Sequence, residues 1–200
     1  MQCKLPKIFI LLTGCYFIIL LFSALEPFSR SVWIAEIIPA IAILVIIGWV
    51  SHHYSFSKTA YLLMFIWLCL HTIGAKYTFA NVPFDWFNSL IGSERNQFDR
   101  VAHFSIGLYA YPVAEYLINR KNLSIKFASS FALFSIMSLA AGYEIVEWWY
   151  AELAGGNEGI AFLGSQGDIW DAQKDMLMDT LGALLSLTLL VVQRSLKSDD

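Results

Sequence analysis

The sequence predicts an all-α protein, a polytopic membrane bundle of about six transmembrane helices with both termini in the cytoplasm. Three observations support this class. Hydrophobic residues make up 58% of the 200-residue chain and charged residues only 14%, well below the charged fraction of soluble proteins. Apolar segments close to the ~20 residues that cross a bilayer recur along the whole chain. No repeat or linker separates them, so residues 1–200 are expected to form one integral membrane domain.

The predicted spans follow in order from the uncharged runs. The first begins after Lys4 and Lys7. It is longer than the apolar region of a signal peptide and no clear cleavage site follows it, so we interpret it as a retained span. Pro39 falls early in the second span, where a helix tolerates proline best, and Pro112 predicts a kink in the fourth. The six spans are residues 8–25, 33–50, 59–75, 101–118, 127–150 and 175–193.

The distribution of Lys and Arg predicts the orientation. With the N-terminus in the cytoplasm, that side holds Lys4, Lys7, Lys58, Arg120, Lys121, Lys126, Arg194 and Lys197. The other side holds Arg30, Lys76, Arg95, Arg100 and Lys174, spread over longer loops. Because cytoplasmic loops carry the excess of positive residues, this arrangement is favoured. The long loops 76–100 and 151–174 are then periplasmic, and IAFLG within the second is either a lid or a plain connector.

In this orientation the ionisable residues of five spans fall at one depth, near the periplasmic leaflet. They are Glu36, His71, Asp99, His103, Glu144, Glu147, Asp175 and Asp179. Asp168 and Asp171 precede the last span, and the steps of three, four and four that lead to Asp179 would align these acids on one helix face. We expect Asp168 and Asp171 in the outer loop. Ionisable groups within membrane segments are candidate functional residues by default.

Either the cluster is a ligand site, or its acids are paired for structural reasons. A ligand site would hold a metal with possible catalysis, or it would bind an anionic head group or substrate without catalysis. Carboxylates with one or two imidazoles suit Mg²⁺, Mn²⁺ or Ca²⁺, and Zn²⁺ if both histidines bind. The candidate metal ligands are Asp99, His103, Asp168, Asp171, Asp175, Asp179 and His71. Glu144 and Glu147 are the candidate catalytic residues, because either is a possible general base. Alternatively, arginines, Lys174 and the histidines neutralise the acids in a bundle interior that needs no chemistry.

Arg30, Arg100 and Trp148 are the candidate binding residues. Arg30 is either a salt-bridge partner of Glu36 or a contact for a phosphate group. Trp148 belongs either to an interfacial aromatic belt or to a platform on which a substrate stacks.

Other classes are less well supported. The net charge of −3 and the lack of a basic run exclude a nucleic-acid partner. Cys3, Cys15 and Cys69 lack metal-type spacing and are expected to be buried small hydrophobic residues. No Ser-His-Asp, nucleophile-elbow or HExxH pattern is present, so the sequence leaves open whether the protein is an enzyme.

Four segments, HTIGAKYTFANVPFDWF, FDRVAHFSIGL, AAGYEIVEWW and FLGSQGDIWDAQKDM, resemble the bacterial inner-membrane family typified by YjdF. The resemblance covers most of the chain from Trp33 onward. More distantly, Asp-Arg-x-x-His, Glu-x-x-Glu and an acid followed by Gly-Ala are similar to VanZ-like membrane proteins. Those usually have Asp-Lys-x-x-His and Glu-x-x-Gln, so Arg100 and Glu147 depart from their pattern.

The resemblance implies a multi-pass helical protein of the bacterial inner membrane, and it supplies no reaction. Its signature positions are Asp99, His103, Glu144, Glu147, Asp168, Asp171, Asp175 and Asp179. The leading hypothesis is therefore a site that binds or processes an envelope lipid or other amphiphile with a divalent cation. The alternatives are an ion-coupled small transporter, disfavoured by the absence of an internal repeat, and a structural component of a membrane complex.

Overall fold

The computed structural model describes the backbone of residues 5–198 and the side chains of residues 5–196. That part of the chain forms nine helices and no strands. They are α1 Lys7–Ala24, α2 Arg30–Ser51, α3 Lys58–Tyr77, α4 Asp85–Leu90, α5 Phe98–Gly107, α6 Ala110–Lys121, α7 Ile125–Ala154, α8 Gly156–Leu163 and α9 Asp171–Ser198. Cys3 and Lys4 lie outside the described residues, as does the side chain of Lys197.

Five helices, α1, α2, α3, α7 and α9, are long and apolar enough to cross a membrane. Serines fix where three of them begin. The hydroxyl groups of Ser29, Ser57 and Ser124 accept hydrogen bonds from backbone N–H groups in the first turns of α2, α3 and α7, as N-caps do. The prediction of an all-α membrane bundle is confirmed.

The fourth predicted span is divided into two helices, α5 and α6. Leu108 and Tyr109 between them keep right-handed helical dihedral angles, but their N–H groups bond to Ser105 and Ile106, three residues back instead of four. Pro112 lies in the first turn of α6, where its missing N–H removes no hydrogen bond of that helix. The two helices run beside α9 over most of its length. Arg100 in α5 contacts Asp171 at the start of α9, while Asn119 near the end of α6 accepts from Arg194. Together α5 and α6 therefore occupy the place of the fourth predicted span, which stays a prediction as a membrane crossing.

Three further boundaries differ from the prediction. Pro39 lies well inside α2, beyond the first turn where proline is tolerated without loss of a hydrogen bond. The helix predicted to end near residue 150 continues to Ala154 as α7. The last span begins at Asp171 instead of residue 175, so Asp171 belongs to α9 and only Asp168 remains in the loop.

The loops gather at two ends of the bundle. We call the end that contains residues 25–29, 78–97 and 155–170 the outer end; the charge distribution predicts that it faces the periplasm. At the opposite end Glu115 accepts from Tyr54 and from the Ser57 N–H, at 3.3 and 2.9 Å, so this acid has partners in the loop between α2 and α3. Burial raises the pKa of Tyr54, in the loop between α2 and α3, to about 12.

The connection between α7 and α9 at the outer end contains a helix. The sequence alone left open whether this segment is a lid or a plain connector. Most of the IAFLG segment lies in α8, and Phe162 is buried against Tyr150 with ring centroids 4.0 Å apart.

Cys15 differs from its prediction, because it is exposed on α1 instead of buried.

Two glycines let α5 and α9 approach backbone to backbone. A Cβ atom at Gly107 would overlap the carbonyl oxygen of Asp179, and one at Gly182 would overlap that of Phe104. Because backbone atoms cannot move aside as a flexible side chain can, only glycine fits at this crossing. The contact places the polar residues of α5 directly alongside those of α9.

Candidate functional site

The site depends on the spacing of polar residues along two helices, α5 and α9. Asp99 and His103 are four residues apart on α5, and Asp171, Asp175 and Asp179 follow one another at the same interval on α9. Residues four apart share a helix face, so each helix presents a polar stripe, and the close crossing of α5 and α9 brings the two stripes together. The site therefore depends on two segments far apart in sequence.

One half of the site is an ion-paired group that we call the arginine cluster. It contains Arg95, Arg100, Lys174, Asp168, Asp171 and Asp175. Arg100 Nη2 lies 2.6 Å from Asp171 Oδ1, its Nη1 donates to the backbone oxygen of Asp171 at 3.0 Å, and Nη1 also pairs with Asp175. A guanidinium group suits this arrangement, because its N–H donors are held in a rigid, planar fork.

Arg95 enters the cluster from the loop before α5. Its guanidinium pairs with Asp171, lies 3.4 Å from Asp168 Oδ2 and reaches Asp99 Oδ2 at 3.3 Å. Arg95 therefore connects the arginine cluster to Asp99, which faces the second half of the site.

Asp168 closes the cluster at its solvent side. Lys174 Nζ lies 2.6 Å from Asp168 Oδ2, and the Trp170 N–H donates to Oδ1 at 3.0 Å. The hydrogen bond from Lys174, supported by the Trp170 N–H, lowers the pKa of Asp168 to about 2. Asp168 is consequently a charged, partnered group at neutral pH.

The second half of the site centres on His103. Its Nδ1 lies 3.3 Å from Asp179 Oδ1, and its Nε2 lies 3.8 Å from Asp99 Oδ1 and 4.0 Å from Asp175 Oδ1. One potential ligand atom from each of Asp99, His103 and Asp175 falls within 4.8 Å of the others. Among the described residues this is the one group of three or more such side chains with metal-site spacing.

A cavity of about 180 Å³ opens beside His103. Its polar end is lined by His71, Asp99, His103, Tyr143, Glu147 and Asp179. Its apolar end is lined by Pro39, Ile43, Trp67, Ala102, Ile106, Ile136, Leu139 and Ala140, with Phe79 beside His71. Phe162 and Leu163 of α8, with Gly164, line it at the outer end. Helices α2, α3, α5, α7, α8 and α9 therefore share one amphipathic space.

Glu36 and His71 form a buried pair at the cavity wall. His71 Nε2 donates to the backbone oxygen of Glu36 at 2.9 Å and lies 3.4 Å from its carboxylate, while its ring stacks on Trp67. Tyr143 on α7 donates to Glu36 Oε2 at 2.8 Å. His71 thus lines the cavity but stands apart from the group that has metal-site spacing.

The two candidate bases differ in position. Glu147 lines the cavity, whereas Glu144 does not, although Glu144 Oε1 is buried without a hydrogen-bond partner among the described residues. Among the described residues, the buried oxygens Asp175 Oδ1 and Asp179 Oδ1 also lack hydrogen bonds, although Arg100 lies within ion-pair distance of the first and His103 lies within ion-pair distance of the second.

Of the three candidate binding residues, only Arg100 lies in the site. The guanidinium of Arg30 donates to the Ala24 backbone oxygen at 2.9 Å and lies over the Trp33 ring, so the suggested salt bridge with Glu36 is wrong. Trp148 is 57% exposed and does not line the cavity, a position that suits the interfacial belt.

Two residues of the site were not selected from the sequence as binding or catalytic candidates. Arg95 lies in a loop, and although Asp99 follows it by four residues, no local pattern indicates its contacts with Asp168 and Asp171. Tyr143 had a usable signal, because it precedes Glu147 by four residues and therefore shares its helix face. A search for hydroxyl groups on that face would have found it.

The fold and the site together define a multi-pass helical membrane protein with a buried acid and histidine site near one end of the bundle. The chain belongs to the family described as "Predicted membrane protein (DUF2238)", whose model matches residues 8–195. It is 31% identical over 176 residues to "Inner membrane protein YjdF" of Escherichia coli (strain K12), a match that covers 86% of this chain and 84% of the relative. No solved structure matches the chain.

These matches confirm the predicted family and the bacterial inner membrane as the location. Neither the family description nor the name of the relative specifies a reaction or a ligand. The resemblance to VanZ-like proteins stays a prediction from short motifs.

Proposed function

We propose that this protein binds an amphipathic envelope molecule, such as a lipid, with its head group at the polar end of the cavity beside a divalent cation. The observation that carries the proposal is the cavity itself, which is mostly apolar and has a few convergent polar groups at one end. Such cavities are the usual form of a binding site for a small molecule. Its position within the membrane domain favours a ligand that is already in the bilayer.

The charge balance supports a cation. Carboxylates at the outer end outnumber the permanently charged cations, and Arg95 and Arg100 are bonded within the arginine cluster. The acids beside the cavity face histidines. Like charges ~4 Å apart repel by about 4 kcal/mol at an effective dielectric constant of 20, so bound cations or protons must offset them. Asp99, His103 and Asp175 are the residues we assign to the cation.

If the ligand is also processed, Glu147 is the residue placed to act as general base. It lines the cavity, whereas Glu144 does not. A divalent cation lowers the pKa of a bound water molecule, and a neighbouring carboxylate can accept the proton that this water releases.

The test compares metal and lipid content of the purified full-length protein in mild detergent. Mass spectrometry of extracts would identify retained lipid, and elemental analysis would quantify Mg, Mn, Ca and Zn. We expect His103→Gln to lose both, and Asp85→Asn, an exposed acid on α4, to retain both as the matched control.

The possible outcomes separate the parts of the proposal. Wild-type protein without metal, and without a metal-dependent shift in melting temperature, removes the cation. Lipid that is retained equally by wild type and His103→Gln contradicts the assignment of the head group to the polar end.

A further inference from the structure

The cavity is bordered by two helices that make few contacts with each other. Pro39 and Ile43 of α2 line one side, and Ile136, Leu139 and Ala140 of α7 line another. Yet α2 packs mainly on α3, with a smaller contact to α8, and α7 packs on α6, α8 and α9. The hydrogen bond from Tyr143 to Glu36 links α2 to α7 beside the polar end. At the depth of the apolar lining, α2 and α7 are therefore not joined by extensive packing.

Leu139 connects the cavity to the lipid-facing surface. It lines the cavity and is also 68% exposed. The same residue ends a groove along α7, which we call the α7 groove and which is lined by Phe127, Ser130, Phe131, Phe134, Ser135, Ser138 and Leu139. Serines between exposed phenylalanines leave the depression, because their side chains are much smaller. The cavity and the α7 groove thus meet at one residue.

We propose that the ligand enters sideways from the bilayer between α2 and α7 and lays its hydrocarbon tail in the α7 groove. This inference rests on the proposed function, since it assumes a head group at the polar end of the cavity. It adds the entry route, the site of the tail and the class of ligand, a lipid with a long tail. The continuity at Leu139 favours a tail over a protein helix, because a helix in the groove would have no part that could extend into the cavity.

The dimensions of α7 set the length of the tail. From Glu147 to Ile136 the helix rises ~16 Å at 1.5 Å per residue, close to one ~15 Å leaflet of the hydrocarbon core. The α7 groove extends from Leu139 to Phe127, so it continues beyond Ile136 for a further ~14 Å of helix rise. By length, a short tail ends beside the apolar lining of the cavity, whereas a long tail continues into the groove. Each additional buried CH₂ group contributes about 0.8 kcal/mol.

The experiment is native mass spectrometry of the purified full-length protein, titrated with dioctanoyl or dipalmitoyl phosphatidylethanolamine. This head group offers a phosphate to a cation and an ammonium to the carboxylates. In Ser138→Trp an exposed serine becomes a ring that fills the groove. We expect binding of the dipalmitoyl lipid to weaken about tenfold or more, equal to ~1.4 kcal/mol, and binding of the dioctanoyl lipid to stay unchanged.

Two controls accompany this variant. Leu185→Trp places the same ring on a lipid-facing position of α9 outside the groove and should bind both lipids as wild type does. Ser138→Leu tests the groove with a smaller side chain and should show a smaller loss in the same direction. Melting temperatures like that of wild type establish that the variants fold.

The results distinguish this inference from the proposed function. Dipalmitoyl binding that is unchanged in Ser138→Trp, or lost equally with dioctanoyl binding, overturns the tail site and leaves the head-group site standing. Binding of both lipids that survives in His103→Gln overturns the head-group site, while a selective effect of Ser138→Trp still supports the groove. A wild-type protein that binds neither lipid overturns both.

Discussion

The arginine cluster and the polar end of the cavity are both rich in acids and lie side by side, yet their carboxylates have different partners. In the arginine cluster Asp168, Asp171 and Asp175 each meet an arginine. At the polar end Asp179 has His103 as its one ion-pair partner among the described residues, and Glu147 faces the cavity. Carboxylates therefore stabilise the bundle in one place and leave charge for a ligand in the other. Asp99 and Asp175 belong to both, because Asp99 contacts Arg95 and His103, and Asp175 contacts Arg100 and lies 4.0 Å from His103 Nε2.

Removing the central cation of the arginine cluster should have the largest effect. We expect Arg100→Met to lower the free energy of unfolding by about 3–5 kcal/mol, since it leaves Asp171 and Asp175 buried without their main partner. Reversible unfolding in mixed detergent micelles would measure it. Arg100→Lys keeps the positive charge but loses the forked N–H groups of the guanidinium. Its free energy of unfolding should therefore lie between those of wild type and Arg100→Met. Wild-type stability in Arg100→Met would show that the cluster does not hold the bundle together.

Separating α5 from α9 should affect both regions at once. In Gly182→Ala the new Cβ atom meets the Phe104 carbonyl oxygen, and such overpacking costs about 1–3 kcal/mol. The same unfolding assay applies. Gly142→Ala is the matched control, because Gly142 lies in α7 with open space around it and should gain stability, by roughly 0.5–1 kcal/mol. Equal effects of the two substitutions would contradict the close crossing.

Neutralising an acid at the polar end of the cavity should not lower the free energy of unfolding. We expect Glu147→Gln to leave stability unchanged or to raise it by up to about 1 kcal/mol, because like-charge repulsion is relieved and no arginine loses its partner. Thermal unfolding in metal-free buffer would measure the change. A marked loss of stability would mean that Glu147 is a structural acid like those of the arginine cluster.

The smallest effect is expected for the ion pair at the rim of the arginine cluster. The pKa of Asp168 is lowered to about 2 chiefly by Lys174, so this contribution to stability is present above the ordinary pKa of aspartate, near 4. It is lost as the pH falls from about 4 through about 2. Lys174→Met should therefore show a shallower loss of melting temperature over this range than wild type. High salt should weaken the difference, because Lys174 is half exposed.

The sequence was sufficient for the spans and for which helix faces carry acids. Hydropathy located α1, α2, α3, α7 and α9, since a bilayer demands long uncharged helices. Four-residue spacing paired Asp99 with His103 and Asp175 with Asp179, because helix geometry is local.

Contacts between residues far apart in the chain could not be predicted from the sequence. Arg95 reaches Asp171 across 76 positions of the chain, and nothing in its neighbours encodes that partner. The break between α5 and α6 lies before Pro112, so the proline indicated the irregular region but not its form. The sequence likewise left two interpretations of the acids open, ion pairing or a ligand site. The structure contains acids of both kinds, those paired with arginine and those lining the cavity, and Asp99 is both.

The pairing of α5 with α9 has a consequence for biosynthesis. A ribosome makes α5 well before α9, so Arg100 and His103 enter the membrane domain while Asp171, Asp175 and Asp179 are still unsynthesised. Charged side chains inside a bilayer are unfavourable until they are paired. An incomplete chain therefore leaves the charge of Arg100 without its partners Asp171 and Asp175 until the last helix is inserted.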